Sequence, residues 1–126
     1  MTEYVYYQPS KHKDGDCVVR AVCKATDMEW FDVYDELCRI GRKLQRMPNS
    51  DKTYKKMLVD RGFEYCGLKM EKGSKRLTVK EFARKHKKGT YVLRVAGHVV
   101  TVVNGKYYDI FDSGDYCVYS YFWKNE

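Results

Sequence analysis

The sequence contains a cysteine and a histidine whose types and positions suit nucleophilic catalysis. Cys17 follows a short stretch rich in Gly and Asp and begins a predicted helix. Unpaired backbone N–H groups and the positive end of the helix dipole lie at such a position, where they stabilise a thiolate and can bind a developing oxyanion. His98 opens a predicted strand far downstream. A cysteine followed by a distant histidine is the order expected of a nucleophile and base that folding brings together, so the pattern indicates thiol acyl-transfer chemistry.

The third member of this set follows from strand register. The pair Asn104-Gly105 lies between two runs of β-branched and aromatic residues and predicts a two-residue hairpin turn. With that turn, Asp109 lies diagonally beside His98 on the same face of the hairpin, where it can orient the imidazole ring. A three-residue turn would shift the register by one and bring Asp112 opposite His98 instead. Asp109 is the preferred third residue and Asp112 is the alternative.

A helical first half and a stranded second half have to position these residues. Apolar residues recur at helical intervals early in the chain, whereas β-branched and aromatic residues dominate from Thr90 onward. This order predicts an α+β fold, with N-terminal helices packed on a C-terminal antiparallel sheet. The predicted helix N-caps are Asp16, Thr26, Ser50 and Thr78, of which the two threonines have a glutamate at capping-box spacing, Glu29 and Glu81. The main predicted strands are 91–96, 98–103, 106–112 and 116–123.

Length and composition predict one small domain spanning residues 1–126. The 126 residues are 44% hydrophobic and 33% charged, which excludes a disordered, collagen-like or membrane-spanning chain. We see neither a signal peptide nor an apolar run long enough to cross a bilayer, and we expect a cytoplasmic monomer that does not bind membranes. The five cysteines include no Cys-x-x-Cys pair, which argues against a disulfide framework and a zinc ribbon. We expect no metal or cofactor.

The excess of basic residues supports an alternative function. Lys and Arg number 24 against 17 Asp and Glu, giving a formal charge of +7. Such a balance is typical of proteins that meet nucleic acid or acidic partners, and basic patches beside aromatic rings are a known nucleic-acid footprint. The chain could therefore be a basic binding module for nucleic acid or protein. Its basic clusters are Lys11 with Lys13, Lys52 with Lys55 and Lys56, Lys72 with Lys75 and Arg76, and Arg84 to Lys88.

Two segments resemble known enzyme motifs. Asp14-Gly-Asp-Cys17-Val-Val-Arg20-Ala21 resembles the nucleophile motif of ovarian-tumour-type deubiquitinases, in which Asp-Gly-Asn-Cys is followed by two apolar residues and Arg-Ala. The segment from Gly97-His98 to Tyr-Tyr-Asp109 resembles the histidine strand and hairpin of the wider papain-like superfamily, including its double-glycine peptidase and transglutaminase branches. The whole chain also resembles a group of small uncharacterised proteins of bacteriophages and their bacterial hosts.

The resemblance implies a papain-like fold and a cysteine peptidase or isopeptidase acting on a peptide or protein substrate. Deamidation and acyl transfer would use the same three residues. Papain-like enzymes usually have a glutamine before the cysteine that helps to bind the oxyanion, and Gln8 is the candidate here. A phage origin would place the protein in the cytoplasm of a bacterial host. A papain-like fold that has lost activity and serves protein–protein contact is a further alternative.

Overall fold

A computed structural model describes residues 3–11, 15–68 and 74–125. Within these ranges the chain forms four α-helices and six β-strands, which confirms the predicted α+β class. In chain order they are β1 Tyr4–Tyr6, α1 Cys17–Thr26, α2 Trp30–Leu44, α3 Asp51–Asp60, β2 Glu64–Gly67, α4 Val79–Lys85, β3 Thr90–Val95, β4 His98–Val103, β5 Lys106–Asp109 and β6 Ser120–Lys124. No helix in this part of the chain is long and apolar enough to cross a membrane.

The strands form one sheet in the order β1-β5-β4-β3-β6-β2. All neighbours are antiparallel except β1, which runs parallel to β5. The prediction of a purely antiparallel, C-terminal sheet was therefore wrong in two respects, because β1 and β2 come before α4 in the chain and β1 makes the sheet mixed. Tyr4, Val5 and Tyr6 have the aromatic and β-branched character of a strand, but three residues are too few to show periodicity.

Helices cover both faces of the sheet. Because side chains alternate along a strand, Val92 and Val99 face α1, α2 and α3, whereas Leu93 and Val100 face α4. Each fully buried aliphatic or aromatic side chain of this kind contributes roughly 1.5–3 kcal/mol. Helix α1 packs directly along β4, and the Thr101 hydroxyl donates a 2.6 Å hydrogen bond to the carbonyl of Ala21. This contact fixes the middle of α1 relative to the middle of β4.

One of the two predicted capping boxes forms. The Thr78 side chain accepts from the backbone N–H of Glu81, and the Glu81 carboxylate accepts from the backbone N–H of Thr78. The box predicted at Thr26 was wrong, because Thr26 is still the last residue of α1 and its hydroxyl donates to the carbonyl of Val22 at 2.7 Å. Helix α1 ends at Asp27, which has a positive φ of 59°.

Strand β5 is shorter than predicted, and β6 begins later. Strand β5 ends at Asp109, and the chain then forms a loop that reaches Ser120. The Asp112 carboxylate closes a turn in this loop by accepting hydrogen bonds from the hydroxyl of Tyr107 and from the backbone N–H of Gly114. These local bonds compete with continued strand pairing, as short Asp side chains commonly do.

Candidate active site

Cys17 is the first residue of α1, and its thiol is half-buried at the end of the sheet where β4 begins. The first intrahelical bond runs from the N–H of Arg20 to the carbonyl of Asp16, so the N–H groups of Cys17 and the next two residues have no acceptor within the helix. Asp16 was predicted to cap the helix, but its side chain accepts no capping bond. The amide groups at the start of α1 therefore place positive partial charge at the end of the helix that carries Cys17.

The Cys17 thiol and the His98 ring interact directly. Burial raises the pKa of Cys17, but hydrogen bonds from His98 and from the backbone N–H of Val99 outweigh burial and hold the pKa below its ordinary value of 9.0. Burial lowers the pKa of His98, but its hydrogen bonds with Asp109 and Cys17 outweigh that effect and raise it from 6.5 to about 9. The two shifts favour the thiolate of Cys17 and the imidazolium of His98 over the uncharged pair.

Asp109 holds the opposite side of the ring. Its Oδ2 lies 2.6 Å from Nε2 of His98, so Nδ1 is the ring nitrogen that remains for Cys17. The Asp109 side chain is fully buried, and the His98 side chain is 10% exposed. Burial raises the pKa of Asp109, but hydrogen bonds from His98 and Ser113 outweigh it and keep the carboxyl charged well into acid. Asp109 is thus placed to fix the ring and to stabilise its charged form.

Each carboxylate oxygen of Asp109 has two hydrogen-bond partners. Oδ2 also accepts from the Ser113 hydroxyl at 2.7 Å, while Oδ1 accepts from Nη2 of Arg20 at 2.9 Å and from the backbone N–H of Ile110 at 2.8 Å. A buried carboxylate without such partners would be strongly destabilising. The four donors therefore fix the orientation of Asp109 and allow its charge to remain in a dry site.

Arg20 is a functional residue that sequence reasoning did not single out beyond its place in the motif. Its guanidinium is buried between Asp16 and Asp109 and forms an ion pair with each. Asp16 in turn accepts from the indole Nε1 of Trp30 at 2.9 Å. Asp16 and Arg20 are four residues apart on one helical turn, a spacing that predicts an ion pair. The pairing with Asp109 depends on how α1 packs on the sheet, which the spacing does not reveal.

Strand β1 holds the backbone of Asp109. The carbonyl of Asp109 accepts from the N–H of Tyr7 at 2.9 Å and from the hydroxyl of Tyr4 at 3.2 Å. Tyr6 is aligned with Asp109 in the parallel pair. The strand that the sequence did not reveal therefore supports the residue that orients His98.

Two aromatic rings on the loop after β5 cover His98. The ring centroids of Phe111 and Tyr116 lie 5.1 and 5.9 Å from that of His98. Both side chains are partly exposed, at 41% and 39%. They shield one side of the imidazole from water while leaving the thiol side open, which strengthens the electrostatic interactions around the ring.

The thiol faces an open pocket of about 270 Å³. Its wall is built from the start of α1, the start of β4, the end of β3 and the residues around the start of α3. The lining residues are Cys17, Val18, Asn49, Asp51, Tyr54, Arg94, Val95, Gly97, His98 and Val99. The pocket gives a carbonyl group access to the thiol and to the N–H groups at the start of α1.

The structure brings together three of the five predicted site residues. Cys17, His98 and Asp109 meet, and the two-residue turn pairs Val103 with Lys106 as predicted. Asp112, the alternative orienting residue, contacts Tyr107 and Gly114 in the loop and makes none of the described contacts with His98.

Gln8 lies just beyond β1 and does not line the Cys17 pocket. Its side-chain carbonyl accepts from the backbone N–H of Ser10 at 3.3 Å. A role for Gln8 in binding the oxyanion stays a prediction. Lys13, Asp14 and Lys72, which belong to the predicted motif and basic clusters, lie outside the described residues.

The remaining cysteines differ from Cys17. Cys23 is buried, and burial raises the pKa of its thiol to about 12. Cys38 and Cys66 are half-buried, whereas Cys117 is exposed. Over the ranges that the structure describes, no group of three or more His, Cys, Asp or Glu side chains is arranged to hold a metal ion.

Comparisons with known proteins found no match to this chain. No family model matches the chain, and neither a curated protein nor a solved structure matches it significantly. Any function has to be argued from the geometry of the site.

Proposed function

We propose that the protein is a cysteine hydrolase with a papain-like arrangement, acting on a peptide or isopeptide bond. One observation carries the proposal: a thiol at the start of α1 contacts a histidine whose Nε2 lies 2.6 Å from a fully buried carboxylate. The order along the chain, helical cysteine, strand histidine and then aspartate on the next strand, is that of the papain-like superfamily. The mixed α+β fold is compatible with it.

In the proposed reaction the Cys17 thiolate attacks the carbonyl carbon, and a C–S bond forms. The resulting oxyanion is stabilised by the N–H of Cys17 and by the dipole of α1. The His98 imidazolium then gives its proton to the leaving nitrogen as the C–N bond breaks, which releases an amine and leaves a thioester. Water, deprotonated by His98, attacks the thioester carbon, and the C–S bond breaks to release a carboxylic acid and restore the thiolate.

Each member of the set has a defined task. Cys17 is the nucleophile, and His98 is the acid and base. Asp109 orients His98, and Arg20 and Ser113 hold Asp109. The pocket beside the thiol is open enough to admit a polypeptide backbone. Deamidation and acyl transfer to an amine differ only in the leaving group or in the acceptor that replaces water.

The test uses a reagent that needs no knowledge of the natural substrate. Purified protein is treated with p-nitrophenyl acetate at neutral pH, and the acetylated residue is mapped by mass spectrometry. We expect rapid release of p-nitrophenolate with acetylation at Cys17, and strongly reduced release for Cys17→Ala and for His98→Ala. Cys117 is the internal control, because its thiol is the more exposed one but has no basic partner in the described contacts. Equal acetylation of Cys17 and Cys117, or full reactivity of His98→Ala, would refute the proposal.

The alternative remains a basic binding module. Two tyrosine rings of a kind that stacks on nucleobases already have cations over them: Lys24 lies over Tyr108 at 4.2 Å and Lys55 over Tyr65 at 4.3 Å. Binding to single-stranded nucleic acid that falls steeply with salt and is unchanged in Cys17→Ala would favour this alternative over the hydrolase.

A further inference from the structure

The Cys17 pocket continues along one side of α3. Asp51, Tyr54 and Arg94 line both this pocket and a neighbouring depression of about 80 Å³. That depression shares Lys52 and Lys55 with a third one of about 400 Å³ on the outer side of α3. The three depressions form a continuous surface path that starts at the thiol.

This path is positively charged along its length. We define the basic groove by four side chains that line it: Arg46, Lys52, Lys55 and Arg94. Lys56 also borders it but is paired with Asp60 at 3.1 Å. None of the four forms an ion pair within the described residues.

One carboxylate, that of Asp51, accompanies these cations among the lining residues. The excess of positive charge favours a ligand that carries several negative charges.

The groove also has apolar surface at the end far from the thiol. Leu44 and Val59 line the third depression and are 42% and 45% exposed. Apolar side chains beside cations suit a polypeptide with both acidic and apolar residues. Nucleic acid fits less well, because Nζ of Lys55 lies over the ring of Tyr65 at 4.3 Å and covers the face on which a base would stack.

We infer that the basic groove binds an acidic segment of a polypeptide substrate and thereby delivers the adjoining peptide or isopeptide carbonyl to Cys17. The inference rests on the proposed function for the reacting bond, but the binding itself does not require catalysis. Carboxylates of the substrate pair with Arg94 nearest the thiol and with Lys52 and Lys55 farther along α3. The enzyme is then selective for acidic sequence on one side of the bond that it cleaves.

Binding is measured with the full chain carrying Cys17→Ala, so that no reaction occurs. The probes are two fluorescein-labelled peptides of equal length, one alternating glutamate with leucine and one alternating glutamine with leucine, followed by fluorescence anisotropy. We expect the glutamate peptide to bind more tightly, with an affinity that falls as salt is added.

Two variants with equal loss of charge locate the binding surface. In the groove variant, Arg94, Lys52 and Lys55 are replaced by glutamine. In the control variant the same change is made at Lys85, Lys87 and Lys88, which lie near the start of β3, whereas Arg94 lies near its end. An exposed ion pair changes affinity by about 1.4- to fivefold, so the loss of three pairs in the groove variant should weaken binding of the glutamate peptide by at least about threefold. The control variant should bind within about twofold of the parent, because exposed charges farther away than about 10 Å are largely screened.

Several results would overturn the inference. Equal weakening by both variants would mean that overall charge, and not the groove, attracts the peptide. Equal binding of the two peptides would exclude recognition of carboxylates. An oligothymidylate that binds more tightly than the glutamate peptide, and loses binding in the groove variant, would assign the groove to nucleic acid.

A second readout separates failure of the inference from failure of the proposed hydrolase. Iodoacetamide is small and neutral and reports only on the Cys17–His98 pair, so its reaction with Cys17 in the wild-type protein tests the hydrolase independently of the groove. Unreactive Cys17 would refute the hydrolase and leave the anisotropy result to decide the groove. Reactive Cys17 without selectivity for glutamate would refute the inference about the basic groove but leave the proposed hydrolase standing.

Discussion

Replacing Asp109 with asparagine keeps the size of the side chain and removes the charge that stabilises protonated His98. In wild type, the carboxylate makes a 2.6 Å contact with Nε2 of His98 from a fully buried position. The rise of the His98 pKa from 6.5 to about 9 corresponds to about 3 kcal/mol in favour of the imidazolium, at about 1.4 kcal/mol for each pKa unit. Asp109 is the strongest contributor that raises this pKa.

Without the Asp109 charge, burial is opposed only by the contribution of Cys17, and the pKa of His98 falls from about 9 toward its ordinary value. The imidazolium that stabilises the Cys17 thiolate is then lost at neutral pH. Each pKa unit is a tenfold change in the ratio of charged to neutral form, so we expect Asp109→Asn to slow alkylation of Cys17 at neutral pH by at least about tenfold. Reactivity should recover only in alkaline solution, where the thiol ionises without help.

The assay is the rate of Cys17 alkylation by iodoacetamide against pH, with the His98 ring followed by NMR. Wild-type His98 should lose its proton as pH rises through about 9. The matched control is Asp112→Asn, which removes a carboxylate from the neighbouring loop that accepts from Tyr107 and Gly114. It should keep the wild-type profile. A wild-type profile in Asp109→Asn, or a shifted profile in Asp112→Asn, would refute the assignment.

Three further predictions concern stability. Arg20→Met leaves Asp16 and Asp109 buried without their cation and should cost about 3–5 kcal/mol in urea unfolding; a loss below about 1 kcal/mol would contradict the network. Thr78→Ala removes the side-chain half of the capping box and should cost about 1 kcal/mol by thermal melting, and an unchanged midpoint would contradict this. His98 should stabilise the fold relative to His98→Gln most strongly below pH 6.5, and this difference in the free energy of unfolding should shrink as pH rises toward about 9, because the pKa of His98 is raised in the folded protein. A difference that grows with pH would contradict stabilisation by the protonated ring.

The hairpin that aligns His98 and Asp109 could be predicted from the sequence because its determinant is local. Asn104 and Gly105 adopt positive φ angles of 49° and 83°, the conformation that a two-residue turn demands and that these residues tolerate best. Once the turn is fixed, the two-residue period of a strand fixes which side chains are neighbours.

The parallel pairing of β1 could not be predicted in the same way. Strand β1 has three residues, and its partner β5 lies near the other end of the sequence. Nothing in Tyr4–Tyr6 specifies direction or partner, since both depend on how the rest of the sheet is already assembled. Asp109 gains two of its backbone contacts from this pairing.

The burial of Arg20 and its contact with Asp109 could likewise not be predicted from the sequence. A sequence pattern identifies its helical neighbour Asp16, four residues away, but an arginine in an exposed helix would give the same pattern. Its burial, and its second bond to Asp109, arise only when α1 packs against the sheet. Residues that act through another side chain are therefore harder to find from sequence than the nucleophile and base themselves.

Each of the five ionisable groups of the site contacts the next and has the opposite charge, in the order Asp16, Arg20, Asp109, His98 and Cys17. Arg20 alone would hold Asp109 charged in a dry site but would also weaken its attraction for His98. Asp16 offsets the charge of Arg20, so that Asp109 can be both held by the guanidinium and effective on the imidazole. The imidazolium in turn favours the thiolate. Buried ion pairs rarely repay their desolvation as stability, and under the proposed function this arrangement serves to favour the thiolate of Cys17.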